Sequence, residues 1–402
     1  VNLASISFAY LRARNTSTVL NVVLLAFAVA AITLLVLTSE QLQERMHLNS
    51  RDIDLVVAPR GSALQAILAS VYQLDAPLAS IPWGEAEAIA TLSGVKTAIP
   101  VAAADYYRGA RVVGTSADYL GHYRARMRAG TGWRRPFEAV LGSEAAARTG
   151  LRVGSTFTVA HAGAASGAEA LHKEPYRVVG VLWPTGAAVD RLIVTDLLTV
   201  WSQHVDSGES EDGLVREPPV NEGRAVNALL IETVSESARI ALVQEIDRGG
   251  ELQAVSPAAE SAKLFGAVAV GTRLLRAFVI ALVIAAGFSV FVALYSALSE
   301  RRYDLAIMRA MGASPRRLMT LLLFEGAMLA AIGTALGVLL GHALTSAIGF
   351  AFRFEQAGVT GLTWSVNELW IVGGALTVGM LAALLPAWRA HETDITQVLA
   401  RG

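Results

Sequence analysis

Apolar residues in this chain fall into two patterns. Four long runs, at 17–38, 277–298, 318–350 and 369–385, are nearly free of charge. Each is within or above the about 17–25 apolar residues with which a helix crosses a bilayer. Residues 40–276 read differently, as short apolar stretches alternating with turn residues, the pattern of strands and amphipathic helices around a soluble core. Strands are expected at 52–58, 95–102, 110–114, 137–141, 155–160, 176–182, 191–195, 226–232 and 251–255, and helices at 85–92, 143–149, 196–204 and 235–248. Ser143 stands as the cap of the second of these helices and Gly150 follows its end, the usual start and stop signals. The segments 160–173 and 206–224 are small and polar in composition and lack the apolar content to join a core.

Together these patterns predict an α-helical membrane protein with four transmembrane helices and a large α+β extracytoplasmic domain inserted between helices 1 and 2. The expected divisions are an N-terminal cytoplasmic segment with helix 1 (1–39), the inserted domain with its stalk helices (40–276), helix 2 (277–298) and a cytoplasmic loop (299–317). Helix 3 (318–350), a short external loop (351–368), helix 4 (369–388) and a cytoplasmic tail (389–402) complete the chain. Pro257 opens a helical pattern over 258–276 that runs into the second span, and 41–49 extends the first, so both are expected to be stalks. A signal peptide is the other reading of the first run, but such peptides have an apolar core of about 7–15 residues and a small-residue cleavage site. This run is longer, and Ser39-Glu40-Gln41-Leu42-Gln43 offers no such site, so a retained helix is expected. Arg12 and Arg14 precede the first run, and Arg301, Arg302, Arg309, Arg316 and Arg317 lie between the second and third. That bias places both termini and this loop in the cytoplasm, although Arg273 and Arg276 oppose it locally.

The loop is the stretch around which the chain is organised. It reads SERRYDLAIMRAMGASP over 299–315, with Leu305, Met308 and Met311 at helical spacing, which predicts a short amphipathic helix. Gly312 is expected to stop it and Pro315 to prevent its resumption. In the third run Gly333, Gly337, Gly341, Thr345 and Gly349 stand four apart, so small residues share one face where another helix approaches closely. Plain bundle packing and a sliding contact both fit that face. Glu325 is the one acid inside the run and the candidate functional intramembrane acid. It follows Arg317 by roughly 12 Å of helical rise, so pairing or snorkelling at the interface accounts for it equally. His342 is expected to be a packed, solitary histidine, with no titratable partner nearby in the sequence. The last span is expected to end at Pro386, with Trp388 as an interfacial aromatic.

Glu300-Arg301 followed by Leu305-Ala-Ile-Met-Arg-Ala-Met-Gly-Ala-Ser314, and then an apolar helix carrying Glu325, resembles the ABC-transporter permeases of the FtsX, MacB and LolC/LolE (type VII) family. Leu385-Pro-Ala-Trp-Arg-Ala390 with Val398-Leu399 resembles the family's ending, with Ile395 where many relatives have proline. Leu141-Gly-Ser143, Thr149-Gly-Leu-Arg-Val-Gly154 and Arg177-Val-Val-Gly-Val-Leu182 resemble the MacB-type periplasmic core. The resemblance implies that the loop is a coupling helix docking on a separate ATPase through Glu300, Arg301, Tyr303, Leu305, Ile307, Met308, Arg309, Met311, Gly312, Ala313 and Ser314. It implies a dimer with a second permease copy or paralogue, an inner-membrane location, and a periplasmic adaptor or lipoprotein as further partner. It also implies no cofactor in this chain, ATP and Mg belonging to the partner ATPase. Export or extraction of lipoproteins, lipid-linked molecules, peptides or amphipathic compounds is the activity it implies. The alternative is a mechanotransmission scaffold that moves no cargo and regulates a periplasmic partner such as a cell-wall hydrolase.

Composition sharpens the class. Hydrophobic residues make up 53% and charged residues 17%, a tilt toward the membrane. With 33 basic and 34 acidic residues, the overall balance gives no pull toward nucleic acid. There is no cysteine, which excludes disulfides, thiolate metal sites and cysteine nucleophiles. The histidines are scattered singly without metal-site spacing, and no phosphate-binding loop or nucleophile elbow is present, so no catalytic or metal residue is assigned. Arg124, Arg126, Arg128, Arg134 and Arg135, interleaved with Tyr123 and Trp133, form a basic stretch expected to be solvated or to meet lipid headgroups or a partner.

Overall fold

The computed structural model describes residues 15–77, 79–161, 174–205, 224–300, 311, 314–351 and 359–392. They form two units, one of which is Gln43–Ala267 and the other the apolar helices on either side of it in sequence. The helices are α1 (Asn15–Ser50), α2 (Ala63–Ser70), α3 (Trp83–Ala90), α4 (Asp118–His122), α5 (Ser143–Thr149), α6 (Leu197–Val205), α7 (Glu236–Arg248), α8 (Pro257–Glu300), α9 (Pro315–Ala351) and α10 (Asn367–Glu392). The strands are β1 (Leu55–Pro59), β2 (Ile81–Pro82), β3 (Val95–Tyr107), β4 (Ala110–Thr115), β5 (Met127–Gly130), β6 (Glu138–Leu141) and β7 (Thr156–Phe157). They continue with β8 (Ala160–His161), β9 (Tyr176–Leu182), β10 (Leu192–Asp196), β11 (Ala225–Val226), β12 (Ala228–Thr233) and β13 (Leu252–Val255).

Within the sheet unit the strands run in the order β13-β1-β12-β3-β4-β10-β6-β9-β5, with β7 on β9 and β8 on β3. Most pairs are antiparallel, but β10 lies parallel to β4 and β6 parallel to β9. Strand β12 shows why both faces are covered. Its Ala228 and Leu230 join one apolar cluster, with Ile67, Val71 and Tyr119 from the α2 and α4 side. Its Leu229 and Ile231 point the other way, to Ala86, Ile89, Trp201, Leu242 and Ile246 of α3, α6 and α7. Alternation of side chains along a strand puts neighbours on opposite faces, so a run of four apolar residues requires helices on each side. A third cluster, with Phe157, Tyr176, Val178 and Ile193, fills the other half of the sheet.

Two sequence features act differently from expectation here. Ser143 is the first residue of α5 rather than its cap. The cap position belongs to Gly142, which makes no side-chain capping bond. A Cβ at Gly142 would run into the carbonyl oxygens of Val189 and Asp190, so the approach of that backbone excludes a capping side chain. At the other end Gly150 does close the helix, in the left-handed region at φ 74°, where glycine is favoured. Helix α2 is absent from the sequence expectation although Ser62-x-x-Gln65 has capping-box spacing. The Ser62 hydroxyl accepts the Gln65 N–H at 3.3 Å. The segments expected to stay out of the core fall mostly on 162–173 and 206–223, outside the described residues.

In the helical unit, stretches of α1, α8, α9 and α10 are each long and apolar enough to cross a membrane. Both helix-breaking prolines read from the sequence are accommodated. Pro315 opens α9, where the first helical position needs no N–H donor, and the loop helix it is expected to end lies outside the described residues. Pro386 lies inside α10, which continues to Glu392. The donor that Pro386 lacks costs one backbone bond, and neighbouring helices offset it. Ala387, Leu298, Leu318 and Leu322 form a buried cluster that holds the turn in place.

Candidate functional site

The loop expected to dock on an ATPase falls between the end of α8 and the start of α9. Arg301, Tyr303, Leu305, Ile307, Met308, Arg309, Gly312 and Ala313 lie outside the described residues. Of the other expected docking residues, Glu300 closes α8 and Met311 is exposed. The Ser314 carbonyl accepts the Arg317 N–H at 2.9 Å, which ties the loop's end to the first turn of α9. The helix ends that frame this loop are packed together by the cluster around Leu298 and Leu318. A second cluster of Val290, Leu294, Leu329 and Ala383 follows. Glu325 lies between them in sequence and is 3% exposed, so its carboxylate is enclosed by the helices rather than reaching outward.

Along α9 the small residues do share a face, and that face meets α1. A Cβ on Gly333 would stand 2.9 Å from Leu25 Cδ2, one on Gly337 2.6 Å from Val29 Cβ and 2.7 Å from the Ala26 carbonyl oxygen, and one on Gly341 2.7 Å from Thr33 Cβ. These distances are shorter than any side chain tolerates, so the seam exists because glycine recurs every four residues.

His342 corrects the sequence expectation of a solitary histidine. Its Nε2 lies 2.9 Å from Glu368 Oε2 and its Nδ1 2.6 Å from the Gly361 carbonyl oxygen. The Trp364 ring is 4.4 Å from the imidazole, centroid to centroid. The partner was missed because it comes from the next helix, brought over by the chain reversal before α10. One signal was available. Ser365-x-x-Glu368 has capping-box spacing, which places Glu368 in the first turn of α10, and its Oε1 accepts the Ser365 N–H at 2.8 Å. That leaves Oε2 for the histidine.

In the sheet unit, Asp52, Thr97, Asp118, His122, Arg124 and Glu232 line a cleft of about 400 Å³. Burial holds the His122 imidazole below its ordinary range, against the opposite pull of Asp52 and Glu232. The folded state therefore prefers neutral His122, and the unfolded chain protonates first as the pH falls. Stability of the sheet unit is expected to drop as pH falls through about 6.5 toward the lower folded value. A thermal melt series from pH 7.5 to 5 checks this, with His122→Gln expected to flatten the difference. The five arginines at 124, 126, 128, 134 and 135 are exposed. Arg128 stacks over Trp183 at 5.4 Å, and the Arg134 and Arg135 backbone N–H groups donate to Glu138 Oε2.

A mixed sheet domain inserted after the first of four membrane-length helices defines the class, a helical membrane protein with an extramembrane domain. Residues 18–249 match the family described as MacB-like periplasmic core domain, and residues 276–395 match the FtsX-like permease C-terminal family. The first match covers more than half of the chain, which therefore belongs to the MacB-like periplasmic core domain family and carries an FtsX-like permease module after it.

The macrolide export ATP-binding/permease protein MacB of Nitrobacter winogradskyi is 32% identical over 104 residues, which are 26% of this chain and 15% of that protein. Among solved structures, the periplasmic region of MacB from Actinobacillus actinomycetemcomitans aligns at 11% identity and a TM-score of 0.37, covering 55% of this chain and 96% of that one. The extracellular domain of the noncanonic ABC-type transporter YknZ from Gram-positive bacteria aligns at 12% and 0.32, covering 50% and 99%.

Proposed function

We propose that this chain is the permease subunit of an ABC transporter of the inner membrane, working with a separate ATPase subunit and moving its sheet domain when that ATPase turns over. The observation that carries the reading is the order of the two family modules, core domain then permease C-terminus, in one chain. The loop at 299–317 falls inside the second module and would be the dock. Nucleotide-driven closure of two ATPases would draw two permeases together, and the long helices α1 and α8 would carry the movement to the sheet domains. The ATP and Mg chemistry belongs to the partner. Lipoproteins, other lipid-linked molecules, peptides and amphipathic compounds are the substrate classes of this reading.

The test is co-purification with the candidate ATPase. Met308→Glu replaces the middle of the three apolar residues that stand at helical spacing in the loop, and Gly312→Pro removes the residue suited to a left-handed turn. Both are expected to lose the ATPase while the permease remains folded by circular dichroism and size exclusion. Equal recovery with the parent chain and both variants would show that the loop is not the dock.

A further inference from the structure

We propose that residues 359–368 are a strap, closed by one shared proton, that fastens the domain-side end of the first helix to the third and fourth so that these three move as one body. The mechanical consequence rests on the permease reading above, whereas the strap itself does not.

The strap grips α1 at two consecutive residues. The Gln41 amide donates from Nε2 to the Thr360 carbonyl at 2.8 Å and accepts the Thr360 N–H on Oε1 at 2.8 Å. Next to it, Asn367 Nδ2 donates to Glu40 Oε1 at 2.5 Å. The grip on α9 is equally direct. The Gly361 N–H donates to Ser346 Oγ at 3.2 Å, and the Val359 carbonyl lies so close to Gly349 that no Cβ would fit there. The His342–Glu368 pair then joins α9 to the first turn of α10.

The hydrogen-bond inventory of that pair requires a proton. A carbonyl oxygen only accepts, so the His342 nitrogen facing Gly361 must carry hydrogen. The other ring nitrogen then faces Glu368 in one of two ways. An imidazolium N–H donates to the carboxylate, or a protonated carboxyl donates to the bare nitrogen. Both arrangements hold one proton between the ring and the carboxyl, and both give the pair zero net charge. That neutrality suits a site where His342 is 9% and Glu368 4% exposed, because an uncompensated charge there would be costly. Without the proton, a lone pair would face a carboxylate. Among the described residues, the charged groups that the strap's bonds bring together are Glu40 of α1 and Glu368 of α10, with His342 on α9.

One bond between α1 and the second helix lies away from the strap. The Ser289 hydroxyl donates to Asn21 Oδ1 at 2.6 Å, toward the opposite end of α1. On the domain side of α8, Leu274 and Phe278 are 68% and 60% exposed. The bonds of the strap thus join α1, α9 and α10 to one another.

The chain has no cysteine, so a paired Glu40→Cys and Asn367→Cys variant gives up that one grip and reads the strap through the remaining ones. Both substitutions leave Gln41, Thr360, His342 and Glu368 in place. In the full chain in lipid nanodiscs, a short bis-methanethiosulfonate reagent is expected to bridge the pair rapidly. Adding Glu368→Leu or His342→Leu is expected to slow bridging by about tenfold, the scale of losing a hydrogen bond to a charged group. Glu368→Gln should keep the parent rate, because its amide can donate to the bare ring nitrogen while its oxygen accepts the Ser365 N–H. Should a leucine variant fail to fold, Gln41→Leu repeats the comparison through the other grip. Equal rates in all variants would overturn the strap, and slowing by Gln41→Leu with no slowing by His342→Leu or Glu368→Leu would overturn the shared proton. A second arm bridges the cysteines before the ATPase is added. ATP hydrolysis by the complex is expected to persist, and its loss with the complex intact would show that the first helix must move against the strap. If no ATPase binds, the permease reading fails while the bridging rates still decide the strap.

Discussion

Gly337→Leu is expected to break the seam between the first and third helices. The Cβ alone would stand 2.6 Å from Val29 Cβ and 2.7 Å from the Ala26 carbonyl oxygen. The second of these is backbone, which has no rotamer by which to retreat. Overpacking a close-packed interior costs about 1–3 kcal/mol, and leucine adds three further carbons to the clash. We expect a loss of at least about 3 kcal/mol of helical-unit stability, seen as a lowered melting temperature in detergent and a loss of monodispersity. The control is Gly373→Leu in α10. A Cβ there meets nothing within 4 Å, so the same added bulk should leave the melt close to the parent's. Equal destabilisation by the two substitutions would mean that the seam does not set the result, since leucine has the better helix propensity at both positions.

Asp190→Ala is expected to be the most damaging polar substitution in the sheet unit. Asp190 is 2% exposed, and its carboxylate collects the Thr185 N–H at 2.9 Å, the Gly186 N–H at 2.7 Å and the Thr185 hydroxyl at 3.0 Å. Removing it leaves two backbone donors without an acceptor in a half-buried turn. The turn leads into the 3₁₀ turn at Ala188–Arg191 and then β10, a central strand of the sheet. Hydrogen bonds to a charged group contribute about 1.5–3 kcal/mol each, so the two backbone donors alone put the expected loss near 4 kcal/mol. In a unit of this size that lowers the melting temperature by about 8–16 °C. Asp190→Asn keeps one good acceptor and should lose roughly half as much. A shift of less than about 2 °C for the alanine variant would show that solvent replaces the carboxylate.

Much of the architecture is legible in one dimension because hydropathy and spacing are local properties. The run 176–182 alternates and becomes β9, and the last turn of α5 is closed by Gly150 in the left-handed region as its position suggests. Gly333, Gly337 and Gly341 share a face as soon as a helix is assumed, although nothing in their spacing says that α1 is what they meet. Prolines were the weakest guide. Pro315 and Pro386 look alike as helix breakers, yet one stands where the missing donor is not needed and the other where packing offsets its loss. Short elements such as α4 and β5 lack enough periods to register.

By itself the sequence determined the four membrane-length helices and the inserted, strand-rich domain, since each follows from composition along a contiguous stretch. It also carried the family motifs of the loop. The tertiary structure decided which residues become partners. It set the sheet order with its two parallel pairs, brought Glu368 to His342 across 26 positions, and set Gln41 on Thr360 across 319. Such pairings depend on where the chain returns in space, and the residues involved have no pattern that distinguishes them before it does. The shared proton follows from that geometry, because only the carbonyl of Gly361 on one side of the ring dictates what the other side must hold.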